Sequence, residues 1–247
     1  FNNKHDHDKQ HKYFEIPIKL NKFIILNYDN NISTTSILNN INTIPNTINN
    51  EKSGWDLIWE KKGYTNDDNP FNLNGFDDTS FNPKDLFNDI ISKFNISKDS
   101  KVLEFGCGAG LLSNFFNNEC DYYGIDYSST LINKNIKLFN SKVYNCSANE
   151  TPFKDNFFDY CFCNSVFEYF TSKEYALEVI KEMKRVTKKG IYIINIRKKT
   201  HDCKKEKHKF NGVYKHLIYN TDDFFDFEIS VSNYEQNERF NAIKYIT

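Results

Sequence analysis

From Asn82 onward, short apolar runs alternate with longer segments whose apolar residues recur every three or four positions. Leu86, Phe87, Ile90, Ile91 and Phe94 make a helical stripe, opened by Asn82-Pro83, a cap residue followed by proline at the first turn. Val102 to Phe105 then reads as a buried strand, Leu111 to Phe116 as a helix-like segment, and a second apolar strand ends at Asp126. Ser128 to Phe139 is helical in pattern, Lys142 to Cys146 is a third strand and Ser147 to Phe153 a loop. Phe157 to Asn164 is a fourth strand, its apolar content typical of a parallel strand covered on both faces. Lys173 to Lys188 is amphipathic, with Tyr175, Val179, Ile180, Met183 and Val186 inward; Gly190 punctuates it, and Ile191 to Ile196 is the fifth strand. Strands alternating with helices predict a doubly wound, mostly parallel α/β sheet with right-handed crossovers and helices on both faces.

The flanks follow other rules. Residues 197–218 break the pattern with a basic, histidine-bearing insertion; Asn220-Thr221 then caps a short helix through Phe227, and Glu228 to Ser232 and Arg239 to Ile246 form a terminal hairpin pair. Upstream, three parts are expected: an Asn-rich, partly mobile extension over 1–50, an aromatic lid segment over 51–81, and the α/β domain over 82–247. Apolar bursts between Tyr13 and Leu26 suit a strand pair, and Asn39 to Asn50 reads as a polar linker. In the lid segment, Trp55, Ile58 and Trp59 fall at i, i+3 and i+4, as on one face of a helix.

Composition narrows the classes. The 247 residues carry 32 basic and 33 acidic side chains, a net charge of −1, so no overall positive field favours nucleic acid or an anionic membrane. No apolar run approaches the roughly 20 residues that span a bilayer. Six cysteines in a chain of this length are not a disulfide framework. Cys161 and Cys163 share one face of a strand and read as core; no partner with metal-ligand spacing stands near them, so no metal is expected. A reducing, cytoplasmic setting fits these thiols. The bias toward Asn, Lys, Ile and Phe follows A/T-rich codons, which discounts Asn as a functional or turn signal.

The chemistry concentrates in KVLEFGCGAGLLSNFFNNECDYYGID, Lys101 to Asp126. A strand, a glycine turn, a helix and a second strand ending in an acid form the first βαβ unit of a nucleotide-binding fold. The glycines fall at 106, 108 and 110, as G-x-G-x-G rather than the G-x-G-x-x-G of dinucleotide sites, with Glu104 two residues upstream. The pattern resembles the first motif of the class I, Rossmann-like S-adenosylmethionine-dependent methyltransferases, of the small-molecule type. The likeness covers about residues 82–196 and implies a seven-stranded sheet with its last strand antiparallel, and S-adenosyl-L-methionine as cofactor. By that resemblance Gly106, Gly108 and Gly110 let backbone amides approach the methionine part, and Glu104 orients its amino end. Asp126 holds the ribose hydroxyls, Tyr127 lies against adenine, and Ser147 and Ala148 meet the adenine edge. Where the family usually has an acid there, Ser147 leaves the amino-group contact to its own hydroxyl or to Asn149. Asn164, at the carboxyl end of the fourth strand, points at the sulfonium.

Methyl transfer asks the protein for in-line alignment, exclusion of water and removal of a proton from the acceptor. Val166-Phe167-Glu168-Tyr169 resembles the family's V-L-E-H, with Tyr169 where a substrate-facing histidine often stands. His201, His208 and His216 lie after the fifth strand with Tyr214 and Tyr219; histidines in general titrate near neutrality and can deprotonate a hydroxyl or amine. His216, in the apolar context Tyr214 to Tyr219, is the favoured base, and Tyr169 its companion. Asn164-Ser165-Val166-Phe167 is not the D/N-P-P-Y/F of adenine or glutamine methylation, no Pro-Cys pair supplies a cytosine nucleophile, and no aspartate cluster suits a metal-assisted catechol reaction. The expectation is an enzyme that methylates an oxygen or nitrogen of a small metabolite. A protein methyltransferase and a non-catalytic methyltransferase-like binding domain are the alternatives.

Overall fold

The computed structural model describes residues 54–76, 82–198, 216–233 and 238–246. The Tyr13–Leu26 strand pair, the 39–50 linker, His201, His208 and Tyr214 lie outside them. In chain order the elements are α1 (Gly54–Gly63), α2 (Pro70–Leu73), α3 (Pro83–Phe94), β1 (Lys101–Phe105), α4 (Ser113–Phe116), β2 (Asp121–Asp126), α5 (Ser129–Phe139), β3 (Lys142–Asn145) and β4 (Phe158–Asn164). After a 3₁₀ turn, Phe167–Tyr169, come α6 (Lys173–Val186) and β5 (Thr187–Arg197), then a second 3₁₀ turn, Thr221–Phe224, β6 (Glu228–Val231) and β7 (Arg239–Tyr245).

The seven strands lie in the order β3-β2-β1-β4-β5-β7-β6. β1 to β5 pair in parallel, and β7 runs antiparallel between β5 and β6. The chain winds outward from β1 through β2 to β3, then crosses back to β4. The strand order therefore reverses between β1 and β4, and in such sheets ligands bind beyond the carboxyl ends at that reversal.

The period-two alternation of the strands feeds two cores. Leu103, Phe105, Cys161, Cys163, Ile191 and Ile193 face one side with Val179, Ile180 and Met183 of α6. Val102, Tyr122, Phe162, Tyr192 and Ile194 face the other with Leu86, Ile90 and Phe94 of α3 and Phe116 of α4. Cys161 and Cys163 are thus core residues, as their spacing predicts.

Two expectations change. The helix after β4 ends at Val186 and Gly190 lies inside β5, because the ring of Phe94 packs where a side chain would be: a Cβ on Gly190 would stand 2.6 Å from Cε1. Asparagine, discounted as a codon effect, does local work. Asn95, Asn140 and Asn156 take left-handed backbone (φ 50, 50 and 52°); Asn82 caps α3 as its pairing with Pro83 predicts, accepting from Lys84 N–H at 3.0 Å. A short amide side chain tolerates that backbone region and competes well for the exposed donors of a helix start.

Candidate active site

The glycine turn closes β1. Gly106, Gly108 and Gly110 have φ of 75, 49 and 94°, so the chain reverses through backbone that L side chains rarely adopt. Space demands glycine as well: a Cβ on Gly106 would lie 2.4 Å from Val166 Cγ2, and one on Gly108 2.3 Å from Asn74 Oδ1. At the end of β2, Asp126 accepts from Gly108 N–H through Oδ2 and from Ser128 N–H through Oδ1, both at 2.9 Å. The motif's last acid is thereby locked to its middle glycine.

Both acids of this unit are pushed toward their neutral forms. Burial raises Asp126 to about 6 against its two N–H donors. Glu104, only 5% exposed, is raised to about 8 by burial, with the Asp126 charge adding to it and the hydrogen bond from Tyr122 opposing it. That bond, Tyr122 hydroxyl to Glu104 Oε2, spans 2.5 Å, and the same hydroxyl lies 3.0 Å from Ser113 Oγ. Glu104 is therefore engaged with the side chains of β2 and α4.

The adenine-side candidates are spread around this turn. Tyr127 is partly exposed, and its hydroxyl donates to the Trp55 carbonyl of α1 at 3.3 Å. Ser147 is exposed and Ala148 half-buried in the loop after β3. Asn149 donates to Glu178 Oε2 at 2.9 Å, which ties up its amide. Asn164 sits at the carboxyl end of β4 as expected, and its Oδ1 accepts from Asn195 Nδ2 at 2.7 Å.

On the other side of the reversal, segments remote in sequence meet. His216 stacks on Trp55, ring centroids 4.5 Å apart and planes 12° apart. Tyr169 meets His216 edge-on at 5.1 Å, Trp55 at 5.0 Å and Trp59 at 5.1 Å. Tyr169 and His216 thus come together against the two tryptophans of α1. Because Trp55 also takes the Tyr127 hydroxyl, α1 links the carboxyl ends of β2 and β4, the two strands that flank β1. It is fixed there by α5: Thr130 Oγ1 donates to Glu60 O at 2.6 Å, and Gly63 leaves room for Thr130.

Beneath His216 lies a buried charge pair that motif reading does not single out. Glu168 is fully buried; its Oε1 accepts from Arg239 Nη1 at 2.7 Å, and its carbonyl accepts from Leu217 N–H at 2.9 Å. Burial works to raise its carboxyl, and the Arg239 and Arg197 guanidiniums outweigh that, holding it below the usual carboxylate range. Arg239 also donates to Asn195 O at 2.7 Å. Asn195 itself takes φ 61° where the β5–β7 register shifts, a bulge at the rim of the site. Asn74, whose Oδ1 accepts from Ala109 N–H at 2.9 Å, is the other missed residue. Asn69-Pro70, which caps α2, marks its local turn, but nothing in the sequence shows its reach into the glycine turn.

The family model for a methyltransferase domain matches residues 103–195, from β1 through the core of β5. The chain carries a class I, S-adenosylmethionine-dependent methyltransferase domain. A demethylmenaquinone methyltransferase of Geobacillus stearothermophilus is 32% identical over 116 residues, 41% of this chain and 47% of that protein. The chain spans about half the length of the curated relatives it matches. Among solved structures, an N-methyltransferase from Bradyrhizobium japonicum in complex with S-adenosyl-L-homocysteine superposes with a TM-score of 0.58 at 14% identity, over 78% of this chain and 99% of that one. Magnesium protoporphyrin IX methyltransferase from Synechocystis, with S-adenosyl-L-homocysteine bound, gives 0.53 at 14% identity, over 66% and 81%. At that identity the likeness is one of fold. Among the described residues no helix is long and apolar enough to cross a membrane.

Proposed function

We propose that the protein transfers a methyl group from S-adenosylmethionine to an oxygen or nitrogen of a small metabolite. The turn suits this cofactor: Gly106 and Gly108 let the chain reverse tightly through left-handed backbone right after β1, and Asp126 offers carboxylate oxygens at the end of β2. Asp126 would accept from the ribose hydroxyls, the glycine turn would meet the amino-acid end, and Tyr127, Ser147 and Ala148 would border the adenine. The bound cofactor supplies a methyl group already activated on a sulfonium, so the protein's tasks are alignment, exclusion of water and proton removal. His216 takes the acceptor's proton, and Tyr169 holds the acceptor against the ring cluster beyond β4. Trp55, 4% exposed, excludes water above them.

The observation that carries this reading is the convergence of His216 and Tyr169, centroids 5.1 Å apart, at the strand reversal beside the glycine turn. The cover formed by α1 supports a small acceptor over a polypeptide, which needs an open groove. The test is calorimetric titration with S-adenosylhomocysteine, with NADH in parallel and Asp126→Ala as control, followed by a screen of amines, phenols and carboxylic acids as acceptors. Binding of the former alone, weakened in the variant, upholds the cofactor assignment; turnover of a small acceptor upholds the rest. Equal binding of NADH would sink the cofactor assignment, and activity only on polypeptides would sink the acceptor class.

A further inference from the structure

Each backbone N–H of the glycine turn has a partner. Gly106 and Cys107 both donate to Ile125 O (2.8 and 3.0 Å), Gly108 to Asp126 Oδ2 (2.9 Å) and Gly110 to Cys107 O (3.0 Å). The remaining donor, Ala109, is taken by the side-chain oxygen of Asn74 at 2.9 Å. Of these acceptors only Asn74 comes from outside the β1–α4–β2 unit. Its oxygen stands 2.3 Å from where a Cβ on Gly108 would lie, resting in the space that the glycine leaves open.

A carboxamide oxygen accepts from an N–H much as one oxygen of a carboxylate does. An anionic ligand group approaching Ala109 N–H meets Asn74 there first. Asn74 is also wired to the cover. Its own N–H donates to Pro70 O at 3.0 Å. The next residue, Gly75 at φ +82°, lies against Trp59: a Cβ there would stand 2.8 Å from the indole Cη2. Lys62 joins the same unit, donating to Asn72 O at 3.0 Å and standing 5.0 Å over the Trp59 ring. Trp59 in turn meets Tyr169.

We propose that Asn74 is an internal stand-in for the carboxylate of the cofactor's amino-acid end: the bound cofactor displaces its side chain from Ala109 N–H, and the movement passes through Gly75 and Trp59 to Tyr169. Filling the cofactor site thereby resets the aromatic cover over the acceptor. This rests on the cofactor reading above.

Two ligands isolate the amino-acid end that bears the carboxylate: S-adenosylhomocysteine carries it, and 5′-methylthioadenosine lacks it. The chain has two tryptophans, Trp55 and Trp59, both in the cover, so intrinsic fluorescence reports on it directly. S-adenosylhomocysteine should change the emission of the unmodified chain and methylthioadenosine should not. Asn74→Ala should bind S-adenosylhomocysteine about fivefold tighter, the loss of one ordinary competing hydrogen bond, with methylthioadenosine affinity unchanged. Asn74→Ser, which keeps a shorter acceptor, serves if the alanine variant melts before binding can be read, and should shift affinity the same way by less. Weaker binding of S-adenosylhomocysteine by the variants would make Asn74 a direct cofactor contact and overturn the proposal. Equal changes for both ligands, or none for either, would overturn it too. If the unmodified chain binds neither ligand, the cofactor reading fails and takes this inference with it.

Discussion

The two halves of the site are built in different ways. The proposed cofactor side centres on one stretch, Glu104 to Asp126, whose hydrogen bonds close on themselves (Gly108 to Asp126, Tyr122 to Glu104, Cys107 to Ile125) except at Ala109, which donates to Asn74. The acceptor side has no such local frame. Trp55, Tyr169 and His216 come from three segments and meet through ring packing, on a floor made by Glu168, beside Tyr169, and Arg239 from a fourth segment. A backbone cradle tolerates little change at its glycines, whereas a ring cluster can be re-edged by single substitutions. One fold can thus keep its cofactor and change its acceptor.

The division between the two sides is tested most severely at His216. His216→Ala should lower turnover by about 100- to 10,000-fold, the usual contribution of a positioned general base, and leave S-adenosylhomocysteine affinity within about twofold. Steady-state kinetics beside calorimetry reads both numbers. A comparable fall in cofactor affinity would show that the two sides are not separable, and unchanged turnover would remove His216 from the chemistry.

Next is the floor. Glu168→Ala leaves the Arg239 guanidinium, 5% exposed, without its carboxylate, and unpairing a buried ion pair costs about 3–5 kcal/mol. Chemical denaturation should show that loss. Glu168→Gln, which keeps an acceptor oxygen for Arg239, should lose less. A loss below about 1 kcal/mol for the alanine variant would mean that the pair adds nothing net.

What can be read from sequence follows the same division. The sheet, its helices and the Gly106–Asp126 unit depend on periodicity and on residues close along the chain, so their positions are read directly. Tyr169 and His216 can be named one by one, from a motif and from an apolar context. Their meeting under Trp55 is a tertiary event that no spacing encodes. Asn74 is hidden for another reason: in a chain rich in asparagine, a residue whose side chain reaches a distant N–H looks like its neighbours. Gly190 misleads because a glycine after an amphipathic run reads as a stop; it is kept small by Phe94, which lies far away in sequence.

On the proposed cofactor side, Asp126 adds a pH dependence of its own. Its carboxyl stands at about 6 against an ordinary value of 3.8, so the folded chain holds a proton that the unfolded chain has released between those values. The stability change has a fixed sign: native stability falls as pH rises from about 4 to about 6, and levels off above that. Cofactor affinity runs the other way, because ribose hydroxyls donate best to the ionised form. S-adenosylhomocysteine binding should weaken about tenfold for each pH unit below 6. Asp126→Asn should bind more weakly at neutral pH and lose the added steepness that sets in below about 6, keeping only the slope that Glu104 contributes. The same added steepness in the variant would assign the titration to another group.

The smallest effect concerns Glu104. Burial and the Asp126 charge raise it to about 8, so near neutral pH it carries a proton for most of the time. A ligand bringing an ammonium group close to Glu104 favours the carboxylate and drives that proton off. Binding of S-adenosylhomocysteine at pH 7 should therefore release somewhat less than one proton from this group, read as the dependence of calorimetric enthalpy on the buffer's ionisation enthalpy. Methylthioadenosine, with no ammonium, should release less. Asp126 contributes little at this pH because it is already mostly ionised, so the difference between the two ligands isolates Glu104. Equal release would mean that Glu104 answers only to Tyr122, Ser113 and the core around them, and that the amino end of the cofactor is oriented by other groups.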